Sequence, residues 1–293
     1  MKNLEEMIKD IFGSGITVAN RMPVSGGDIN RAYRLELSDG AVIFMKANAP
    51  ERESLFNSEA AGLEAIRKTG CVRVPKVLGY GADDTESYLL LEYIEPGRRS
   101  VKSSAELGEA LANMHLADAG EFVSDGKYGF IHDNYIGSGT QINTPADSWI
   151  EFFINCRLMP QFERVSGYFD SEDKKTINRF IEKLDRYLVE PDRPSLLHGD
   201  LWAGNYMIDS KDRPWLIDPA TYVGHSEVDI AMTELFGGFD DYFYDAYTDV
   251  MGLDPGYRDR RDIYNLHSLL NHLNLFGGGY FYSVKSIIER YAC

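Results

Sequence analysis

"LLHGDLWAGNYMID" fills residues 196–209, and "PWLIDPA" follows at residues 214–220. Together they set His198, Asp200, Asn205 and Asp218 in one short length of chain, each beside strand-like apolar residues. "SLLHG", "YMID" and "PWLID" read as short strands, and the turn "SKDRP" joins the last two into a hairpin. Asn205 precedes the first hairpin strand and Asp218 follows the second, so the hairpin brings them together. Asp200 lies in the loop just ahead. One amide and two carboxylates therefore converge on one space.

That donor set has a specific chemistry. Mg2+ is a hard cation that takes a few such oxygens and completes its shell with phosphate and water. The remaining carboxylate, Asp200, can take a proton from an attacking hydroxyl. Any single Asp here reads equally well as a turn residue or a cap. The joint spacing, HGDxxxxN followed by apolar-Ile-Asp-Pro, points beyond that. It matches a phosphoryl-transfer layout, with a loop Asp as base and an Asn and a second Asp on magnesium.

Composition sets the frame. The chain has 293 residues, 44% apolar and 26% charged, which suits one large or two medium globular domains. That length buries enough surface to need no disulfide or metal staple. Cys71, Cys156 and Cys293 are scattered and form no CxxC, against a disulfide framework or structural zinc and in keeping with a cytoplasmic protein. "MKNLEEMIKDIFGSG" has no apolar core of a secretory signal. No run reaches the ~18 apolar residues of a membrane span. The formal net charge of −16 argues against nucleic acid and anionic membrane as partners, which need clustered Lys and Arg. A small phosphate ligand needs only a local nest and a cation. A monomer is favoured.

Along the chain, "NLEEMIKDIFG" predicts a short amphipathic helix. "GITVANRMPV", "RAYRLELSDGAVIFMKAN" and "ESYLLLEYIEPG" read as strands, the second with a Ser-Asp-Gly hairpin turn. "ERESLFNSEAAGLEAIRKTG" is a helix ended by Gly70. After "EPG" helical spacing dominates, in "SAELGEALANMHLAD", "PADSWIEFFINCRL", "SEDKKTINRFIEKLDRYL", "SEVDIAMTELFGG" and "RDIYNLHSLLNHLNLFGGG". Only short strands near 195–198, 206–209 and 214–217 interrupt it. The expected class is α+β and bilobal. Residues 1–94 form a small antiparallel-sheet lobe with one main helix that binds nucleotide. Residues 95–293 form a larger, mainly helical lobe that binds the acceptor and catalyses. A cleft lies between them, with a hinge near Pro96-Gly97.

Phosphoryl transfer needs further parts, and the first lobe offers one of each. "VSGGDINRAYRL" supplies Gly26, Gly27 and Asp28 in a turn that covers phosphates, or is merely a hairpin turn. Lys46 ends the apolar run "AVIFMKAN", either to meet phosphates or as a solvated strand end. Glu59 shares a helical face with Phe56, Leu63 and Ile66, where an unpaired carboxylate is costly. A bond to Lys46 resolves that cost; reaching water at the stripe's edge is the alternative. Glu64 lies off that face. Glu92, Tyr93 and Ile94, at the end of "YLLLEYIEPG", offer backbone groups to adenine.

"HGDLWAGN", "LIDPATYVGHSEVDIAMTELFGGF" and "LLNHLNLFGGGY" resemble the fructosamine kinase family, within the protein-kinase-like, aminoglycoside-phosphotransferase-like superfamily. The resemblance spans nearly the whole chain. HGDxxxxN alone fits the superfamily; Trp202, "IDPA" in place of Asp-Phe-Gly, and "AMTELFGGF" are more specific. It implies ATP- and Mg2+-dependent phosphorylation of the sugar 3-hydroxyl of ketosamines, on small amines or glycated lysines, as deglycation repair. By position Asp200 is the base, Asn205 and Asp218 hold magnesium, and Lys46, held by Glu59, meets the α- and β-phosphates. His198 braces the loop. Gly199 replaces the Arg of the protein-kinase motif, which argues against switching by phosphorylation. The glycine turn holds no cysteine, unlike some members.

Trp202, Tyr222 and His267, with His225 and Asn271, are candidates for an acceptor pocket, although core packing explains most of the last helix. Glu227 and Asp229 read as caps and loop anchors. "GGFDDYFYDAY" reads as core and surface helix, or as a sugar-stacking wall. Other acceptors, of aminoglycoside, choline or homoserine type, and a silent nucleotide-binding module are the rival readings.

Overall fold

The structure, a computed structural model, describes residues 2–24 and 29–293. Helix α1 (Leu4–Phe12) opens the chain, with Asn3 and Glu6 forming a reciprocal capping box. Strands β1 (Val18–Val24), β2 (Arg31–Leu37), β3 (Val42–Asn48), β4 (Val77–Ala82) and β5 (Ser87–Glu92) make one antiparallel sheet, in the order β1-β2-β3-β5-β4. Helix α2 (Glu53–Thr69) bridges β3 and β4. The expected sheet and main helix are present. Strand β4 was not anticipated, because "VLGYGA" carries two glycines and little alternation.

Strand alternation decides what each sheet face does. Ile43, Met45 and Ala47 of β3 pack with Leu35, Leu37, Tyr88, Leu90 and Ile8 of α1 into a small core. The opposite face carries Leu89 and Leu91, which join Phe56, Leu63 and Ile66 of α2 in the main core. That core runs on into the helical half, so residue 94 marks a change in chain path rather than a boundary between two cores. Lys46 belongs to this second face and is thereby aimed at α2.

From α3 (Val101–Leu116) the chain is mainly helical. A small hairpin, β6 (Asn134–Ile136) and β7 (Gly139–Gln141), comes next. Helix α4 (Trp149–Phe152) runs through a π-helical turn (Phe153–Leu158) into α5 (Met159–Arg164), and α6 (Ser171–Glu182) follows. Trp149 is fully buried and meets the rings of Tyr128, Phe152, Phe153, His225 and Tyr264. Strand β8 (Ser195–Leu197) precedes the hairpin of β9 (Tyr206–Ile208) and β10 (Pro214–Leu216), as the opening stretch predicts. Strand β11 (Tyr222–Gly224) pairs with β8 and was not foreseen. Helices α7 (Glu227–Leu235), α8 (Asp241–Met251), α9 (Tyr257–Phe276) and α10 (Phe281–Ala292) complete the chain.

The connecting segment after β5 is tied to the β9–β10 hairpin. Gly97 N donates to Ile208 O, and Ser210 N donates to Glu95 O. Asp209 shapes the hairpin turn by accepting from the Lys211 and Arg213 peptides, Arg213 Nε and Trp215 Nε1. The segment that follows β5 is therefore fixed to the β9–β10 hairpin by backbone hydrogen bonds.

Candidate active site

Lys46 is 6% exposed at the end of β3. Its ammonium donates to Glu59 Oε1 at 2.7 Å and to Asp218 Oδ1 at 2.5 Å. The apolar stripe of α2 holds Glu59 in place: Phe56, Leu63 and Ile66 are buried on the same face. Glu64 instead pairs with Arg67 on the outer surface. Burial opposes the charge on Lys46, but Asp218 and then Glu59 more than reverse that, so its pKa lies above the ordinary lysine value. Burial raises the Glu59 carboxyl above its ordinary value, and the Lys46 charge opposes it.

Asp218 adopts φ +55°, one of two positive values among non-glycine residues in the described chain. A non-glycine residue held there is strained, and such strain persists where the surroundings over-determine it. The conformation turns the carboxylate toward Lys46 and leaves it 37% exposed to the cleft.

The loop below is braced by three buried groups. His198 Nε2 donates to Ile217 O at 2.9 Å, and its Nδ1 accepts from Asp200 N at 3.3 Å. Burial lowers the His198 pKa, so the ring is neutral, a brace rather than a proton carrier. Asp229 accepts from the peptides of His198 (2.7 Å) and Gly199 (2.9 Å), and its Oδ2 meets His115 Nε2 at 3.1 Å. Burial alone would raise the Asp229 pKa; the His115 hydrogen bond and the Gly199 peptide bring it below the ordinary value. Gly199 has φ +82°, and a Cβ there would fall 2.1 Å from Ala220 O. Any side chain at this position would push the loop off the segment that follows Asp218.

Asn205 Nδ2 donates to Asp200 O (2.8 Å) and Asp200 Oδ2 (2.9 Å), which leaves its Oδ1 as an acceptor. Burial pushes the Asp200 carboxyl up to about 7, Asn205 opposes the shift, and the Asp218 and Asp229 charges add to it. A carboxyl in that range suits a general base near neutral pH. Among the described residues, no hydrogen bond uses the backbone of Tyr93 or Ile94, which follow β5 at the cleft's edge. Gly26, Gly27 and Asp28 lie outside the described residues.

The acceptor-side expectations need correction. Trp202 is 38% exposed beside the loop. Tyr222 and His267 are 1% and 4% exposed, and they belong to a packed layer rather than an open wall. Tyr222 lies under the Arg157 guanidinium at 3.8 Å, and His267 Nδ1 meets Arg157 O at 3.2 Å. His225 and Asn271 are buried in the same layer. Arg157 organises it from the π-helical turn, and no motif marked that residue. Neither Glu227 nor Asp229 caps α7: Glu227 binds Arg260 with both oxygens, at 2.5 and 2.8 Å.

The family model for fructosamine kinase matches residues 1–292. The chain belongs to the fructosamine kinase family. Among similar members, a protein named a probable ketoamine kinase in Synechocystis is 38% identical, over 99% of this chain and 96% of that one. The chloroplastic protein-ribulosamine 3-kinase of Arabidopsis thaliana is 41% identical, over 92% of this chain and 81% of that one. A solved structure from Thermobifida fusca that carries the fructosamine-3-kinase name aligns with a TM-score of 0.84 at 32% identity, covering 99% of this chain and 98% of that one. Aminoglycoside phosphotransferase APH(4)-Ia aligns with a TM-score of 0.64 at 13% identity, covering 100% and 98%, and shows the shared fold alone. The family's kinase-like fold, an antiparallel-sheet region on a helical one, is the fold described above. No described helix is long and apolar enough to cross a membrane.

Proposed function

We propose that the protein transfers the γ-phosphoryl group of ATP to a sugar hydroxyl of a ketosamine, the 3-hydroxyl by analogy with its ribulosamine 3-kinase relative. The observation that carries this is the buried Lys46, bonded at once to Glu59 and Asp218, with Asp218 next to the Asp200–Asn205 pair. The free backbone of Tyr93 and Ile94, next to Glu92, supports adenine binding at the cleft's edge. Lys46, fixed by Glu59, neutralises phosphate charge. Asp200, oriented by Asn205, takes the proton of the attacking hydroxyl. The acceptor oxygen then bonds to phosphorus as the bond to ADP breaks.

The donor set fits magnesium: the Asn205 Oδ1 left over from the Asp200 bonds and the partly exposed Asp218 carboxylate are two hard oxygens, with room for phosphate and water. When bound, the ion supplies charge neutralisation at the phosphate oxygens. Trp202 is the exposed aromatic beside the base and suits a contact with the sugar or its amine. The acceptor is a small or protein-bound glycated amine. Free cysteines at 71, 156 and 293 support a cytoplasmic setting.

The test is ATP turnover on a panel of ketosamines, aminoglycosides, choline and homoserine. Phosphate transfer to ketosamines that Asp200→Ala abolishes is the expected result. ATP binding without transfer to any of them would reduce the protein to a nucleotide-binding module.

A further inference from the structure

The segment just after Asp218 has no regular structure until β11, yet it is buried. No backbone donor outside the strand pairing reaches the carbonyls of Ala220 and Thr221 among the described residues, so they depend on side-chain donors. The β6–β7 hairpin supplies them. Asn134 Nδ2 donates to Thr221 O at 2.7 Å, and Gln141 Nε2 donates to Ala220 O at 3.0 Å. Gln141 gives its second hydrogen to Asn134 Oδ1 at 2.9 Å, and Asn143 Nδ2 donates to the same oxygen at 2.9 Å. Arg157 Nη2 closes the chain on Asn143 Oδ1 at 2.7 Å, while its guanidinium covers the Tyr222 ring. All four side chains are buried.

The same hairpin also touches the helix that carries Glu59. Tyr135 OH lies 2.9 Å from Ser54 Oγ at the start of α2. Farther along, α2 approaches the segment itself: a Cβ on Gly62 would sit 2.9 Å from Thr221 Oγ1. One small hairpin thus meets both α2 and the chain leaving Asp218. These are the two elements whose carboxylates share Lys46.

We propose that Asn134, Gln141, Asn143 and Arg157 act as a positioning relay, which sets the Asp218 carboxylate in register with Glu59 and Lys46 through the carbonyls of Ala220 and Thr221. None of the four touches substrate. Their effect passes through the strained Asp218 backbone, which is held on its N-terminal side by His198 and Asn205 at Ile217 and on its C-terminal side by this relay. Gln141 spends both amide hydrogens, one on Asn134 and one on Ala220, which fixes the orientation of the amide although its Oε1 is buried without a partner among the described residues. The site is then assembled by the fold itself, with no phosphorylated segment required. The inference rests on the reading of Asp218 as a magnesium ligand.

The experiment measures the Mg2+ concentration that gives half of the full ATP-induced rise in melting temperature, without any acceptor, and kcat beside it. Gln141→Leu and the near-isosteric, uncharged Gln141→Met are compared with wild type. Phe180→Leu, a core change on α6 remote from the relay, controls for general destabilisation. The expected result is that both Gln141 variants need at least fivefold more Mg2+ and lose at least tenfold in kcat, with acceptor KM within twofold. Phe180→Leu should keep the wild-type Mg2+ requirement. If a folded Gln141 variant keeps the wild-type Mg2+ requirement, or if Phe180→Leu raises it equally, the relay is refuted. A wild-type protein with no Mg2+-dependent ATP response would instead overturn the reading of Asp218. Should Gln141→Leu fail to fold, Gln141→Met decides alone, since it nearly keeps the length and volume, adds no charge and removes the donors.

Discussion

Lys46 and Arg157 are both buried cations, and the molecule neutralises them in opposite ways. Lys46 sits between two carboxylates at the edge of a cleft. Arg157 forms no ion pair among the described residues; it is held by the Ile142 and Cys156 carbonyls, the Asn143 amide and the faces of Phe152 and Tyr222. Burial lowers its pKa, as expected of a guanidinium neutralised only by dipoles and rings. The difference separates reaction from support. Formal charges facing a cleft can be re-partnered by phosphate and metal, whereas dipoles and aromatic faces inside a packed layer serve one fixed arrangement.

That contrast can be attacked in order of expected effect. Asp200→Asn should cut kcat by about 10²- to 10⁴-fold while ATP still raises the melting temperature. Loss of ATP binding instead would place Asp200 on the support side. Lys46→Met should lower kcat/KM by about 10²- to 10³-fold, the scale of one preorganised charge donor. Arg157→Met should first lower stability, since the Asn143 and Ile142 oxygens lose their donors at about 1–3 kcal/mol each. Denaturant unfolding of the two variants would break the comparison if Lys46→Met proved the less stable.

The buried layer should also titrate. Burial and Arg260 lower the His225 pKa to about 3, with His115 adding; burial and Arg157 do the same for His267, with Arg164 adding. Both rings are neutral when folded, and both protonate when unfolded below the ordinary histidine pKa of about 6.5. At these two rings the unfolded state therefore binds more protons between these values, so their contribution to stability is full above pH 6.5 and falls as pH drops toward 3, while Asp200 and Glu59, whose carboxyls burial raises to about 7, shift stability the opposite way over the same range. At pH 5 the loss is about 2 kcal/mol per histidine. Unfolding free energies measured from pH 8 to 5 check this: wild type should lose stability relative to His225→Gln/His267→Gln as pH falls, and a difference that does not change with pH would sink the assignment. The smallest effect belongs to Trp202→Ala, which should raise acceptor KM about 2- to 10-fold, the worth of an exposed aromatic contact. An unchanged KM would remove Trp202 from the acceptor site.

The opening stretch was legible because its chemistry is local. The hairpin turn between residues 208 and 214 fixes where Asn205 and Asp218 meet, and a few residues of chain cannot place them otherwise. Glu59 was legible for a related reason: a carboxylate on an apolar helical stripe requires a partner, and Lys46 was available on the neighbouring strand. Strands β6, β7 and β11 were not legible. Each spans three residues, too few for alternation to register, and none adjoins a recognised motif as β8, β9 and β10 do; β11 moreover pairs with chain some twenty-five positions away. The π-helical turn that carries Arg157 reads simply as more helix.

The acceptor side shows the limit most plainly. Tyr222, His225 and His267 have side chains that suit ligand binding, and nothing local tells whether an aromatic or a histidine faces a pocket or a packed layer. By itself the sequence determined the family, the sheet-then-helix architecture and which groups are candidates for the chemistry, because motif spacing and hydrophobic period are short-range. Only the tertiary structure decided which polar residues are buried as supports, and that one amide hairpin joins α2 to the segment after Asp218. Those facts depend on contacts between residues some eighty positions apart in the chain, as with Gln141 and Ala220; no local pattern encodes contacts of that range.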